Sequence, residues 1–130
     1  MTILVIDDSR FMQLAIEKVL REAGYRVVLA GDGEAGLCAA IQTPPNLILL
    51  DVMLPSLPGT SVLRSLKHNP VTAQIPIIVL TGLTRLDEAR LRHEGADGYL
   101  AKSNLDPEQG CPALLAEIRK VLNQNAPVQR

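Results

Sequence analysis

Five short aliphatic runs punctuate the chain, at residues 3–6, 27–29, 47–50, 77–80 and 99–101. They are too short for helices and rich in β-branched residues, which marks them as strands. Between them, apolar residues recur at three- and four-residue spacing. Met12, Ala15, Ile16, Val19, Leu20 and Ala23 predict an amphipathic helix that stops at Gly24. A second helix is predicted to open on Asp32 as N-cap, with Glu34 in its first turn, and to reach Gln42 before Pro44-Pro45. A third lies between Pro58 and His68, with Asn69-Pro70 as its stop; a fourth covers 85–94 and ends at Gly95; a fifth covers 113–123.

The order is therefore βα repeated five times. Strands that read as continuous apolar runs need cover on both faces, so the alternation predicts an α/β fold, a doubly wound five-stranded parallel sheet with right-handed crossovers. No internal repeat or low-complexity segment interrupts it. One domain is expected over 1–123, with a frayed, disordered tail over 124–130.

Composition narrows the function. Hydrophobic residues make up 47% of the 130 positions, enough for one core, and aromatics only 2%, so that core must be aliphatic. A formal net charge of −1 offers no electrostatic reason to bind nucleic acid directly or to bind an anionic membrane surface. The amino terminus lacks a signal-peptide pattern and no apolar run approaches membrane-spanning length, so a cytoplasmic protein is expected. Cys38 and Cys111 form no Cys-x-x-Cys pair and read as reduced thiols. His68 and His93 have no second His or Cys at ligand spacing, which argues against a transition-metal site.

In an open parallel sheet, functional groups gather where the strands end. Here the first strand delivers Asp7 and Asp8, the third Asp51, the fourth Thr81 and the fifth Lys102. Three carboxylates in one pocket repel each other unless a cation intervenes, and a hard divalent ion such as Mg²⁺ suits all-oxygen ligands. Lys102 adds a mobile positive charge and Thr81 a hydroxyl donor, a set suited to receiving a phosphoryl group. Any one of these residues could simply cap a helix, as Asp8 or Ser9 could cap the first. Capping does not require a lysine opposite three carboxylates, however, so the constellation is more specific than its members.

The stretches Leu4-Val5-Ile6-Asp7-Asp8-Ser9, Leu49-Leu50-Asp51-Val52-Met53-Leu54-Pro55, Val79-Leu80-Thr81-Gly82 and Gly95-Ala96-Asp97-Gly98-Tyr99-Leu100-Ala101-Lys102 closely resemble the response-regulator receiver family of two-component signalling, including its stand-alone chemotaxis-type members. The resemblance covers residues 2 to 102 closely and the fifth helix more loosely. It implies a flavodoxin-like fold with strand order 2-1-3-4-5 and a phosphorylation-dependent switch rather than an enzyme. Asp51 would be the phosphoacceptor. Asp8, Asp51 and the backbone carbonyl of Met53 would bind Mg²⁺ (or Mn²⁺), and Asp7 would act through metal-bound water. Lys102 and Thr81 would hold the phosphoryl group, and Thr81 and Tyr99 would form the switch. The phosphoryl donor would be a histidine kinase or histidine phosphotransfer protein. A downstream protein target would read the face made by the fourth helix, fifth strand and fifth helix.

Other classes fit less well. Gly31-Asp32-Gly33-Glu34-Ala35-Gly36 matches the dinucleotide pattern G-x-G-x-x-G, but a nucleotide-binding enzyme leaves Asp7, Asp8, Thr81 and Lys102 unexplained. Phosphatases that form an aspartyl-phosphate use Asp-x-Asp, whereas here Asp51 is followed by Val52-Met53. A receiver-like interaction module independent of phosphorylation, or a phosphate sink, remains the alternative, although every acidic, hydroxyl and ammonium position is filled.

Several features depart from the family or refine it. Lys102 precedes Ser103, where receivers usually carry a cis proline; a cis bond to a non-proline residue costs about 2.5–4 kcal/mol, so trans is expected. The 103–112 segment looks long for the link into the fifth helix, and is expected either to tune partner choice on the signalling face or to be a tolerated surface insertion. Met53 and Leu83, both apolar, flank the family's route for attacking water, which implies slow self-dephosphorylation. Phe11 and Leu14 fall off the buried stripe of the first helix near the site, where a kinase or phosphotransfer partner would dock. Cys38 and Cys111 should lie far apart, without a disulfide.

Overall fold

The computed structural model describes residues 1–52, 59–81, 92–93, 95–105 and 110–125. Within them lie five strands, β1 (Thr2–Ile6), β2 (Arg26–Ala30), β3 (Leu47–Asp51), β4 (Ile77–Thr81) and β5 (Gly98–Ala101). Four α-helices are α1 (Arg10–Glu22), α2 (Gly33–Gln42), α3 (Gly59–His68) and α4 (Pro112–Asn125), with a 3₁₀ turn at Lys102–Asn104. All strand pairs are parallel, in the order β2-β1-β3-β4-β5. This is the expected doubly wound sheet. Helix α4 is the predicted fifth helix, running two residues past 123. Of the predicted fourth helix only Arg92 and His93 are described, both helical. Met53, Leu83, the rest of 85–94, positions 106–109 of the long loop and 126–130 of the expected tail lie outside the described residues.

The central strands β3 and β4 are buried at every position, as apolar runs covered on both faces must be, while the edge strand β2 alternates. Side-chain alternation divides the interior into two aliphatic cores. Ile3, Val5, Leu47, Leu49, Ile78 and Leu80 face α1 and α4; Leu4, Ile6, Ile48, Leu50, Ile77 and Val79 face α2 and α3.

Local chemistry sets the helix ends. The Ser9 hydroxyl accepts from Met12 N at 3.3 Å, so Ser9 rather than Asp8 caps α1. Gly24, at φ +95°, closes it: Gly24 N donates to Arg21 O and Tyr25 N to Leu20 O, a Schellman ending. Asp32 caps α2 by accepting from Ala35 N at 2.8 Å. Gly36 belongs to packing rather than nucleotide chemistry, because a Cβ there would lie 2.5 Å from Ile6 Cδ1 on the sheet below. Pro112 takes the first helical position of α4, where its missing N–H is no loss.

The end of the sheet opposite the acidic residues is tied by a cation. Lys67 Nζ, at the end of α3, donates to Ile75 O at 3.0 Å and to Asp97 Oδ2 at 3.1 Å. The same Asp97 oxygen accepts from Ile77 N at 2.8 Å. One ammonium thus joins α3, the entry to β4 and the turn before β5. Lys67→Met keeps the aliphatic stem but strands the partners of a largely buried pair. It is expected to lower unfolding free energy by about 2–3 kcal/mol, read as a drop in urea midpoint at unchanged slope.

Candidate functional site

The strand register assembles the acidic residues. Ile6 pairs with Leu50, which sets Asp7 level with Asp51; Asp51 pairs with Leu80, and Thr81 with Ala101, which places Thr81 and then Lys102 along the same edge. Asp7 and Asp51 continue the strand positions that face α1 and α4, and both are fully buried. Asp8, one residue on, is exposed. Carboxylate oxygens of Asp7, Asp8 and Asp51 all lie within 4.8 Å of one another.

Lys102 enters this cluster from the 3₁₀ turn. Its Nζ donates to Asp51 Oδ2 at 2.9 Å and stands 3.5 Å from Asp7 Oδ2. The peptide bond to Ser103 is trans, since no described bond is cis. Leu105, whose side chain is in the α1–α4 core, donates its N–H to Lys102 O at 3.1 Å and so anchors the turn without a proline. Burial, the largest influence on Lys102, favours its neutral form, but the hydrogen bond and charge of Asp51, with Asp7 behind it, hold the ammonium above its usual range.

Asp7 is the strained member. Its Oδ1 accepts from Ser9 N at 2.8 Å, whereas its buried Oδ2 has no hydrogen-bond partner. Burial raises its carboxyl above the usual range; the Ser9 N–H and Lys102 oppose the rise, and the Asp51 charge adds to it. Three crowded carboxylate donors and one orphaned buried oxygen suit a hard, oxygen-seeking divalent cation.

Thr81, at 5% exposure, lies on the opposite side-chain parity, the side that faces α2 and α3. Tyr99 shares that face from the neighbouring strand, half-buried against the second core. Sequence reasoning missed two partners here. Arg92 Nε donates to the Tyr99 hydroxyl, with the guanidinium carbon 4.8 Å from the ring centroid, a contact between helical and strand positions seven residues apart that no single period reveals. Gln13 is 5% exposed and holds the carbonyl of Asp7 at 2.6 Å. The available signal was its place one turn before Ile16 on the buried stripe of α1.

Residues 3 to 115 match the family described as the response regulator receiver domain. The chain belongs to the response-regulator receiver family. It is 38% identical over 123 residues to the DNA-binding dual master transcriptional regulator RpaA of Synechocystis sp., covering 94% of this chain and 49% of RpaA. It is 39% identical over 101 residues to the response regulator PleD of Caulobacter vibrioides, covering 77% of this chain and 22% of PleD. The receiver thus spans about half the length of RpaA and less than a quarter of PleD. Protein PilG of Pseudomonas aeruginosa is 36% identical over 101 residues, 77% of this chain and 75% of PilG.

Solved receivers share the fold. The response regulator domain of Thermotoga maritima CheB superposes with a TM-score of 0.84 at 27% identity, over 100% of this chain and 98% of that one. Chemotaxis response regulator CheY4 of Vibrio cholerae gives 0.82 at 28%, over 92% and 97%. The flavodoxin-like arrangement and two-component signalling class follow. Among the described residues, no helix is long and apolar enough to cross a membrane.

Proposed function

We propose that this receiver is a phosphorylation-dependent signalling switch in which Asp51 takes a phosphoryl group from a histidine kinase or histidine phosphotransfer protein. The observation that carries the reading is the Lys102 ammonium 2.9 Å from Asp51 Oδ2, inside a cluster of three carboxylates. An Asp51 oxygen attacks phosphorus as the donor's P–N bond breaks, and the leaving imidazole takes a proton from water. Mg²⁺ (or Mn²⁺), held by Asp8, Asp51 and the Met53 carbonyl, with Asp7 acting through water, would neutralise charge on the carboxylates and the phosphoryl oxygens. Lys102 pairs with a phosphoryl oxygen and the Thr81 hydroxyl donates to another; positioning and electrostatics supply most of the catalysis. Self-dephosphorylation is slow, a reading supported by the sequence alone: Met53 and Leu83, two residues beyond Asp51 and Thr81 in the chain, are both apolar.

Thr81 and Tyr99, on one face of paired strands, form the switch that biases the face made by the predicted fourth helix, β5 and α4 (the predicted fifth helix) for a downstream protein target. Phe11 and Leu14, at 72% and 45% exposure on α1 beside the acidic edge, offer the phosphoryl donor an apolar docking patch. The test is intact mass spectrometry with Mg²⁺ and acetyl phosphate. The chain is expected to gain one phosphoryl group, and chelation with EDTA to prevent it. Absence of an adduct under several phosphodonors rejects the reading. An adduct that changes neither structure nor partner affinity points instead to a phosphate sink.

A further inference from the structure

The three carboxylates differ in how they are held. Asp51 is fixed within β3 and by Lys102, and Asp7 Oδ1 by Ser9 N at 2.8 Å. Asp8 is exposed, so its direction depends on the backbone that carries it, and above all on the peptide plane joining it to Asp7. The carbonyl of that plane is Asp7 O, and it accepts from Gln13 Nε2 at 2.6 Å. The same amide nitrogen lies 3.4 Å from Ala30 O, which also accepts from Asp7 N at 3.0 Å. Gln13 therefore clamps the end of β1 to the end of β2. Its orientation has one solution: both nearby carbonyls can only accept, so the amide nitrogen faces them, and Oε1 turns outward to accept from Arg10 Nη1 at 3.1 Å.

We propose that Gln13 is a positioning residue for the divalent-metal site, setting the Asp7–Asp8 peptide plane and through it the reach of the Asp8 carboxylate toward Asp51. The inference rests on the metal-assisted reading above and adds to it a residue outside the acidic set. A buried glutamine on the apolar stripe of a helix costs stability unless its amide is used, and here both ends are used. Groups that orient metal ligands without touching the metal commonly change affinity by about 10–100-fold when removed.

The test is isothermal titration of Mg²⁺ alone into the full chain, with thermal unfolding measured alongside. Gln13→Met keeps length and burial but removes the donor, and its Mg²⁺ dissociation constant is expected to rise by about 10–100-fold. Thr72→Val is the stability control. Thr72 is fully buried and donates to Leu66 O at 2.6 Å, closing α3 away from the acidic edge, so its loss lowers the melting temperature and leaves Mg²⁺ affinity unchanged. If Gln13→Met does not fold, Gln13→Asn, one methylene too short to reach Asp7 O, carries the same test. Unchanged Mg²⁺ affinity in the folded Gln13 variant overturns this inference alone. Failure of the unaltered chain to bind Mg²⁺ overturns the metal-assisted reading together with it.

Discussion

Asp51→Asn is expected to abolish the phosphoryl adduct formed with Mg²⁺ and acetyl phosphate while leaving the fold intact. An amide oxygen is far less nucleophilic than a carboxylate and gives no stable acyl phosphate. The substitution hardly alters volume at a fully buried position whose backbone belongs to the β3 ladder. Asp7 and Asp8 lie within 4.8 Å of Asp51, but Lys102 makes its 2.9 Å contact with Asp51, leaving Asp7 at 3.5 Å. Phosphorylation is therefore expected at one carboxylate and not at its neighbours. Intact mass and circular dichroism check both halves of the expectation; an adduct persisting on Asp51→Asn would reassign the acceptor.

Asp7→Asn is expected to stabilise the metal-free protein and to blunt its response to Mg²⁺. The buried Oδ2 has no hydrogen-bond partner, and an unsatisfied atom costs about 1–3 kcal/mol, which the Lys102 ammonium at 3.5 Å offsets only in part because its direct contact is to Asp51. Asparagine keeps an acceptor for Ser9 N and replaces the orphaned oxygen with a donor beside the Asp51 carboxylate. The sign of the pH dependence follows from the raised carboxyl of Asp7. A proton is held more tightly in the folded chain than in the unfolded one, so this contribution is complete below the unfolded aspartate value. It is lost as pH rises through the higher folded value. In EDTA, the urea midpoint of the unaltered chain should fall across that window relative to Asp7→Asn. Added Mg²⁺ should raise the midpoint of the unaltered chain by mass action and that of the variant much less.

The strands and their polar ends were legible because burial on two faces writes itself as unbroken aliphatic runs, and the first polar residue after each run marks the edge. Asp7, Asp8, Asp51 and Lys102 came together for that reason. Lys67 and Asp97 were not legible as partners, because 30 residues separate them and only the fold brings them within 3.1 Å. Arg92 over Tyr99 and Thr72 on Leu66 O, seven and six residues apart, were hidden for another reason: each pair crosses the end of an element, where no helix or strand period applies. Gln13 failed differently: its polar side chain reads as a surface residue, and its burial is compensated by carbonyls at the ends of two strands. Gly36 is the opposite case: its motif was set aside on the strand-end residues alone, and only the fold supplies its reason, the approach of α2 to Ile6. The trans Lys102–Ser103 joint followed from peptide energetics, while the 3₁₀ turn and Leu105 that secure it did not.

The two thiols lie in contrasting places: Cys38 is exposed on α2, and Cys111 is wholly buried in the core shared by β1, α1 and α4. A maleimide should therefore modify Cys38 at once and Cys111 only when that core parts. Its second, slow addition is a clock for the opening of the α4 side. Run with and without acetyl phosphate, the clock would time how far a phosphoryl group on one edge of the sheet tightens the layer behind it, with no reporter added to the chain.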